Sequence, residues 1–356
     1  MLQNFFSDLK VIELASVLAG PAVGLFFAEL GATVLKVENK PKGGDVTRNW
    51  RLPQESKTRP YSAYYCSVNW QKESLFLDLT KPADQAQLHA LVAEADLVIS
   101  NFKDSSAQKM ACAYEQLKAI NPKLIFAHLT SYGSDDSRPA FDVVLQAETG
   151  FLYMNGEADG NPVKMPVALI DILAAHQLKE AVLIALLHRE RTGEGSYVTT
   201  SLLEAAIASL ANQATNYLME NHIPQRMGCL HPNIAPYGDI FYTKDEKAVI
   251  LAVGTERQWL QLCRSLNLEQ LIENESFATN MQRVQNRSEL SLLLNEKIQE
   301  WNRDDLLAIF YKNGVRVGSV RNMQEVFEQE TAQNMILEEK MTDGCLLYTA
   351  PSPRDS

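Results

Sequence analysis

The stretch ALIDILAAHQLKEAVLIALLHRERTGEG runs from Ala168 to Gly195 and reads as a long apolar helix that opens on one acid, Asp171. A carboxylate there has two chemistries open to it. It can cap the helix, since Asp accepts hydrogen bonds from the free N–H groups of the first turn, worth about 1 kcal/mol over Ala. It can also be a nucleophile, because an ionised carboxylate attacks an activated carbonyl and a helix N-terminus favours the anion. The residues alone leave both open. His176, five positions on, is more simply a packed or solvent-facing histidine than a base. No pair of His and acids has metal spacing, so no metal is expected.

The elements that must position Asp171 follow from periodicity. KVIEL (10–14) is a short buried strand, ASVLAGP a turn, AVGLFFAEL a helix with Pro21 at its first position, and ATVLKVE the next strand, after a stop at Gly31. This βαβ unit predicts a parallel sheet and an α/β fold. The alternation continues with a helix over 82–94, strands at 96–100 and 123–129, a polar loop from Gly133 to Pro139 and a helix over 141–154. After the Asp171 helix come a strand, SYVTT, and a helix over 201–220. From HIPQRMGCLHPNIAPYG the texture changes to a proline-rich linker. A second unit follows, with a hairpin of DIFYT and AVILAV and helices near 256–266, 286–300 and 303–313.

Bulk properties narrow the partners. The 356 residues carry a formal net charge of -11, which argues against nucleic acid or an anionic membrane. An anionic small ligand stays possible, held by local Lys/Arg and helix N-termini. The five cysteines are scattered, no signal peptide is evident, and no stretch reaches 18 uncharged apolar residues. A cytoplasmic location is expected.

The ordered set of motifs resembles the family III CoA-transferases, the CaiB/BaiF family. It comprises VIELASVLAGPAVGLFFAELGATVLKVE, GGDVTR (43–48), NWQKESLFLDL (69–79), NF (101–102), SYG (131–133), FDVVLQAETG (141–150), the Asp171 helix, HPNIAPYG (231–238) and FATNMQRVQNRSEL (277–290). The similarity spans nearly all of 9–330. It implies transfer of coenzyme A from an acyl-CoA to a carboxylic acid, with the CoA thioester as substrate and no other cofactor. It implies a Rossmann-like large domain with a parallel sheet (1–222), a linker and smaller α+β domain (223–330), a C-terminal return to the large domain (331–342), and an interlocked homodimer. The family's nucleophile falls on Asp171, which would form an acyl anhydride and then an aspartyl-CoA thioester.

The resemblance also places binding residues. Ser16, Val17 and Leu18 occupy the turn beside CoA and the active carboxylate. Arg48, Lys72 and Lys103 are expected to meet phosphates, Asn101 and Phe102 to follow the strand end with Phe102 packing on CoA, and Tyr132 to border the thioester. Asn39 stands where some relatives carry a basic residue. Gln146 and Glu148 lie in a stretch packed near the active aspartate, with Glu148 expected at the surface.

Within the resemblance, a sister branch racemises 2-methylacyl-CoA with a His-Asp pair where this chain has Phe141-Asp142, and Phe cannot act as the base. Leu18 stands where formyl/oxalate-type members carry Gln, which disfavours those substrates and suggests a larger or less polar acyl group. A nucleotide-binding dehydrogenase would need G-x-G-x-x-G after the first strand, and the turn lacks it. A non-catalytic CoA-binding regulator is a further alternative. The ending CLLYTAPSPRDS does not resemble the family, so residues 343–356 are expected to be a non-native tail.

Overall fold

Six strands, Lys10–Leu14 (β1), Thr33–Asn39 (β2), Lys72–Leu77 (β3), Leu97–Ser100 (β4), Ile125–Thr130 (β5) and Ser196–Ser201 (β6), pair in parallel in the order β3-β2-β1-β4-β5-β6. This computed structural model describes residues 4–133, 136, 138–340 and 346–349. β1, β4 and β5 are buried along nearly their whole length, as strands covered on both faces must be. Successive residues feed opposite cores, because side chains alternate across a strand. Val11, Leu97 and Ile99 join Val23 and Phe27 of the helix Ala19–Glu29 (α1) and Ala174, Leu178 and Val182 of the helix Leu169–Thr192. Ile12, Leu14 and Val98 join Leu88, Val92 and Leu117 on the other side.

The chain forms two compact units. One holds Met1–Leu152, Lys164–Ile223 and Gln333–Ser356; the other holds Tyr153–Val163 and Pro224–Ala332. The smaller unit has a three-stranded antiparallel sheet of Tyr237–Tyr242 (β7), Ala248–Ala252 (β8) and Val317–Ser319 (β9), packed with Trp259, Phe277 and Phe310. Its two family-like segments bind each other. Asn280 and Arg283 bond the backbone of Asn233 and Ala235, and the Arg287 guanidinium donates to the His231 and Ile234 carbonyls. In the larger unit, Leu337–Lys340 (β10) pairs antiparallel with Leu346–Thr349 (β11). The rest of the tail expectation, 343–345 and 350–356, lies outside the described residues.

Several local expectations change. α1 starts at Ala19, so Pro21 is its third residue, not its first. Pro costs nothing there, because none of the first N–H groups has an intrahelical partner. The helix expected over 141–154 splits into Asp142–Glu148 and Phe151–Met154, with Gly150 at φ +86° between them. The helix expected over 201–220 splits into Leu202–Ala208 and Asn212–Glu220 around Ala211 at φ +48°. Strand β3 was not anticipated: this sheet-edge strand is mostly exposed or half-buried and lacks a clean apolar run.

Candidate functional site

The connections leaving β1 and β4 diverge here, and open α/β sheets bind ligands at the carboxyl ends of strands at such a point. A cavity of about 470 Å³ lies there, lined by Ser16, Lys36, Asn39, Asp45, Val46 and Phe102 among others. Ser16, Val17 and Leu18 form the turn between β1 and α1, all half-buried. Val17 has φ +74°, the left-handed region that a β-branched side chain rarely enters. Asn101 clamps the neighbouring peptide: its Oδ1 accepts from Ser16 N–H at 3.2 Å and its Nδ2 donates to the Ser16 carbonyl at 2.9 Å. Both ends of the Asn101 amide thus build the turn.

Beneath the turn runs a chain of buried charges. Lys72 Nζ meets Glu13 Oε2 at 2.7 Å, Glu13 Oε1 meets Lys36 Nζ at 2.8 Å, and Lys36 Nζ meets Asp45 Oδ2 at 3.1 Å. Register creates the first contacts, since Glu13 lies opposite Lys36 in the β1–β2 ladder and Lys72 starts β3 beside β2. Gly24 makes room: a Cβ on it would run into the Glu13 carboxylate. Gly44, at φ +104°, likewise lets the Asp45 N–H reach Glu38 Oε2 at 2.7 Å.

Two residues expected to meet phosphates, Lys72 and Arg48, are engaged in buried pairs in this arrangement. The Lys72 side chain is fully buried and also donates to the Pro21 carbonyl at 2.7 Å. Burial lowers its pKa to about 8, against the pull of Glu13. Arg48 grips Glu38 with two nitrogens, donates to Tyr65 Oη and stacks 4.0 Å from the Tyr65 ring. Although burial opposes ionisation, bonds from Arg48 and the Asp45 N–H hold Glu38 at a pKa of about 2. The Lys72 ammonium, with its three donors engaged by Glu13, Pro21 and Asn69, reaches a phosphate only by breaking a buried pair. Lys103 is exposed beside half-buried Phe102.

Asp171 is the third residue of its helix, not the first, and it caps nothing. The cap comes from elsewhere. Asp142 Oδ1 accepts the Ile170 N–H at 2.7 Å, while Asp142 Oδ2 accepts from Gln146 Nε2 at 2.6 Å and Gln146 Oε1 accepts the Met165 N–H at 2.8 Å. Asp171 is 8% exposed, and among the described residues its carboxylate has no hydrogen-bond partner and no counter-ion. The other buried carboxylates, Glu13, Glu38, Asp45 and Asp239, all have one. Burial, then the Asp142 charge, raises the Asp171 pKa to about 7. Burial and the Asp142 charge thus act against the helix terminus, which by itself favours the anion. The N–H just ahead of it serves Asp142, and desolvation outweighs the dipole.

Tyr64 joins the parts. Its pKa is pushed up to about 12 by burial and then by the charges of Asp171, Asp142 and Asp45, and its ring is half-buried. Asp171 itself does not line that cavity. Tyr132 is half-buried, with Arg138 3.9 Å over its ring, and Glu148 is exposed as expected. Sequence reasoning missed Tyr64, Asp45, Asp142 as a cap and the Glu13–Lys36 pair. One signal was present: charges inside two apolar strands, Glu13 in KVIEL and Lys36 and Glu38 in ATVLKVE.

The comparisons decide the family. The model of CoA-transferase family III matches residues 6–351. This chain belongs to CoA-transferase family III. It is 38% identical over 355 residues to a succinate–glutarate CoA-transferase of Agrobacterium fabrum, covering 98% of this chain and 88% of the relative. It is 32% identical to human succinyl-CoA:glutarate CoA-transferase, covering 98% and 80%. Among solved structures, a CAIB/BAIF family protein from Brucella suis superposes with a TM-score of 0.88 at 37% identity, covering 98% of this chain and 91% of that one. The family III assignment makes the chain an enzyme that transfers CoA between an acyl-CoA and a carboxylic acid. No helix among the described residues is long and apolar enough to cross a membrane.

Proposed function

We propose that Asp171 is the covalent carrier in this transfer. Its carboxylate attacks the acyl-CoA carbonyl and expels CoA thiolate, leaving an aspartyl acyl anhydride. The thiolate then attacks the Asp171 carbonyl carbon, releasing the donor acid and leaving an aspartyl-CoA thioester. The acceptor carboxylate attacks that thioester to form a second anhydride. CoA thiolate takes the acceptor acyl group, and Asp171 leaves as a carboxylate. The observation that carries this reading is that, among the described residues, Asp171 alone of the buried carboxylates lacks a partner. Unpaired buried charge is costly, and a carboxyl group with a pKa near the working pH suits a reacting group. CoA is proposed to lie along the Ser16–Leu18 turn and Phe102.

Substrates are proposed from the relatives. Several similar proteins are named for succinyl-CoA with glutarate, mesaconate or D-citramalate, so the proposed pair is succinyl-CoA and a five-carbon dicarboxylate. A homodimer is proposed as well. Ile184, Leu187, Leu218 and Met219 are each at least half exposed, and a second copy would cover this apolar surface. The test is mass spectrometry of the enzyme incubated with succinyl-CoA and hydroxylamine. The Asp171 peptide should carry the hydroxamate, and Asp171→Ala should abolish transfer while CoA still binds. Full-rate transfer by Asp171→Ala would remove the reading.

A further inference from the structure

The turn that carries Val17 is tied at almost every backbone group. Lys36 Nζ donates to the Ala15 carbonyl at 2.7 Å, and Asn101 holds Ser16 from both sides. Asp45 Oδ2 accepts the Val17 N–H at 3.2 Å, the Ala22 N–H bonds the Leu18 carbonyl at 2.7 Å, and Lys72 Nζ donates to the Pro21 carbonyl at 2.7 Å. Asp45 is fixed in turn, with Oδ1 accepting from the Thr47 N–H and hydroxyl at 3.0 and 2.8 Å. The four charged side chains beneath are at most 1% exposed.

Two facts need one explanation. A valine at φ +74° persists only where its surroundings over-determine it. A buried run of two cations and two anions is also a poor way to gain stability, because well-packed apolar residues would do as well or better. Both make sense if the conformation of the turn is what the charges secure. Resting on the functional reading above, the geometry points to Asp45 and Asn101 as positioning residues. They hold Val17 in its left-handed conformation beside Ser16, which lines the cavity where CoA is proposed to lie, and Glu13, Lys36 and Lys72 anchor them. They act on transfer through the turn.

The experiment uses the full chain. Asp45→Asn exchanges the charge at constant shape. Its expected effect is a kcat lower by roughly 10- to 100-fold, with the KM for acyl-CoA moving less than about threefold, as misplacement of reacting groups predicts. Adding Val17→Gly in that background should return kcat at least about fivefold, because glycine takes the left-handed region without a tether. Because glycine also relieves the strain of the folded backbone, kcat is expressed per folded enzyme, with the folded fraction read from urea melts; a residue that only stabilised the fold would leave that kcat native. Native kcat in Asp45→Asn, or a double variant no faster than the single one, overturns the inference. Should Asp45→Asn fail to fold, Asn101→Asp, which loses the donor to the Ser16 carbonyl, is expected to show the same loss and the same rescue; native kcat there overturns it equally. Asp171→Ala is run beside them. Transfer in that variant would sink the covalent reading, whereas an inert Asp171→Ala with an unaffected Asp45→Asn would sink only this inference.

Discussion

Asp142 Oδ1 accepts the Ile170 N–H at 2.7 Å, one residue before Asp171. The acid that steadies the helix is thus also a charge that raises the Asp171 pKa. Asp142→Asn keeps an acceptor for Ile170 and removes the charge. The Asp171 pKa should then fall from about 7, more of it should be ionised at pH 6, and the acid limb of the kcat–pH profile should move to lower pH. A limb that stays in place, or moves up, would show that Asp142 does not act on Asp171 electrostatically.

Asp171 also links stability to pH. Its folded pKa of about 7 lies above the unfolded value near 4. Between those values the folded chain keeps a proton that the unfolded chain releases. The stabilisation is complete below about pH 4 and is lost as pH rises through 7. Asp171→Asn removes the burden of an ionised buried group, so the variant should exceed the parent by about 2–4 kcal/mol at pH 8 and match it near pH 4. Urea melts at the two pH values measure this. An equal difference at both would locate the effect in packing.

Lys72→Met separates structure from ligand binding. Removing one partner of a buried ionic run should cost about 3–5 kcal/mol, while CoA affinity of the folded protein should stay near its starting value. Denaturant melts and CoA calorimetry read the two quantities. A large affinity loss at unchanged stability would return Lys72 to a phosphate-binding role.

Leu18→Gln tests selectivity. The side chain sits at the N-cap of α1 with half-buried exposure, so the exchange should alter the ranking of acyl-CoA donors more than the Kd for CoA. A panel of donors compared by kcat/KM decides it, and an unchanged ranking counts against the role.

What the sequence revealed was local. The β1–turn–α1–β2 unit could be read because its apolar runs and its stop at Gly31 lie within one short segment. The fates of Lys72 and Arg48 could not, since each is decided by a partner on another strand: Glu13, 59 residues away, and Glu38, 10 residues away. A basic residue in a matched motif looks the same on paper whether it greets a ligand or neutralises a buried acid. Asp171 was singled out by the family pattern, and the pull of burial on its proton was not visible there. Burial and the Asp142 charge are three-dimensional quantities, and they outweigh a helix terminus that is visible in one dimension.

The clamp between Ser16 and Asn101 joins groups 85 residues apart, at the ends of adjacent strands β1 and β4. A chain that has built only its first βαβ segment therefore has the turn without the Asn101 clamp. Ligand competence must arrive together with closure of the central strand pair. Any compound that recognises the finished turn will consequently oppose unfolding of the larger unit as a whole, and hydrogen exchange in β1 and β4 should slow in step when CoA is added.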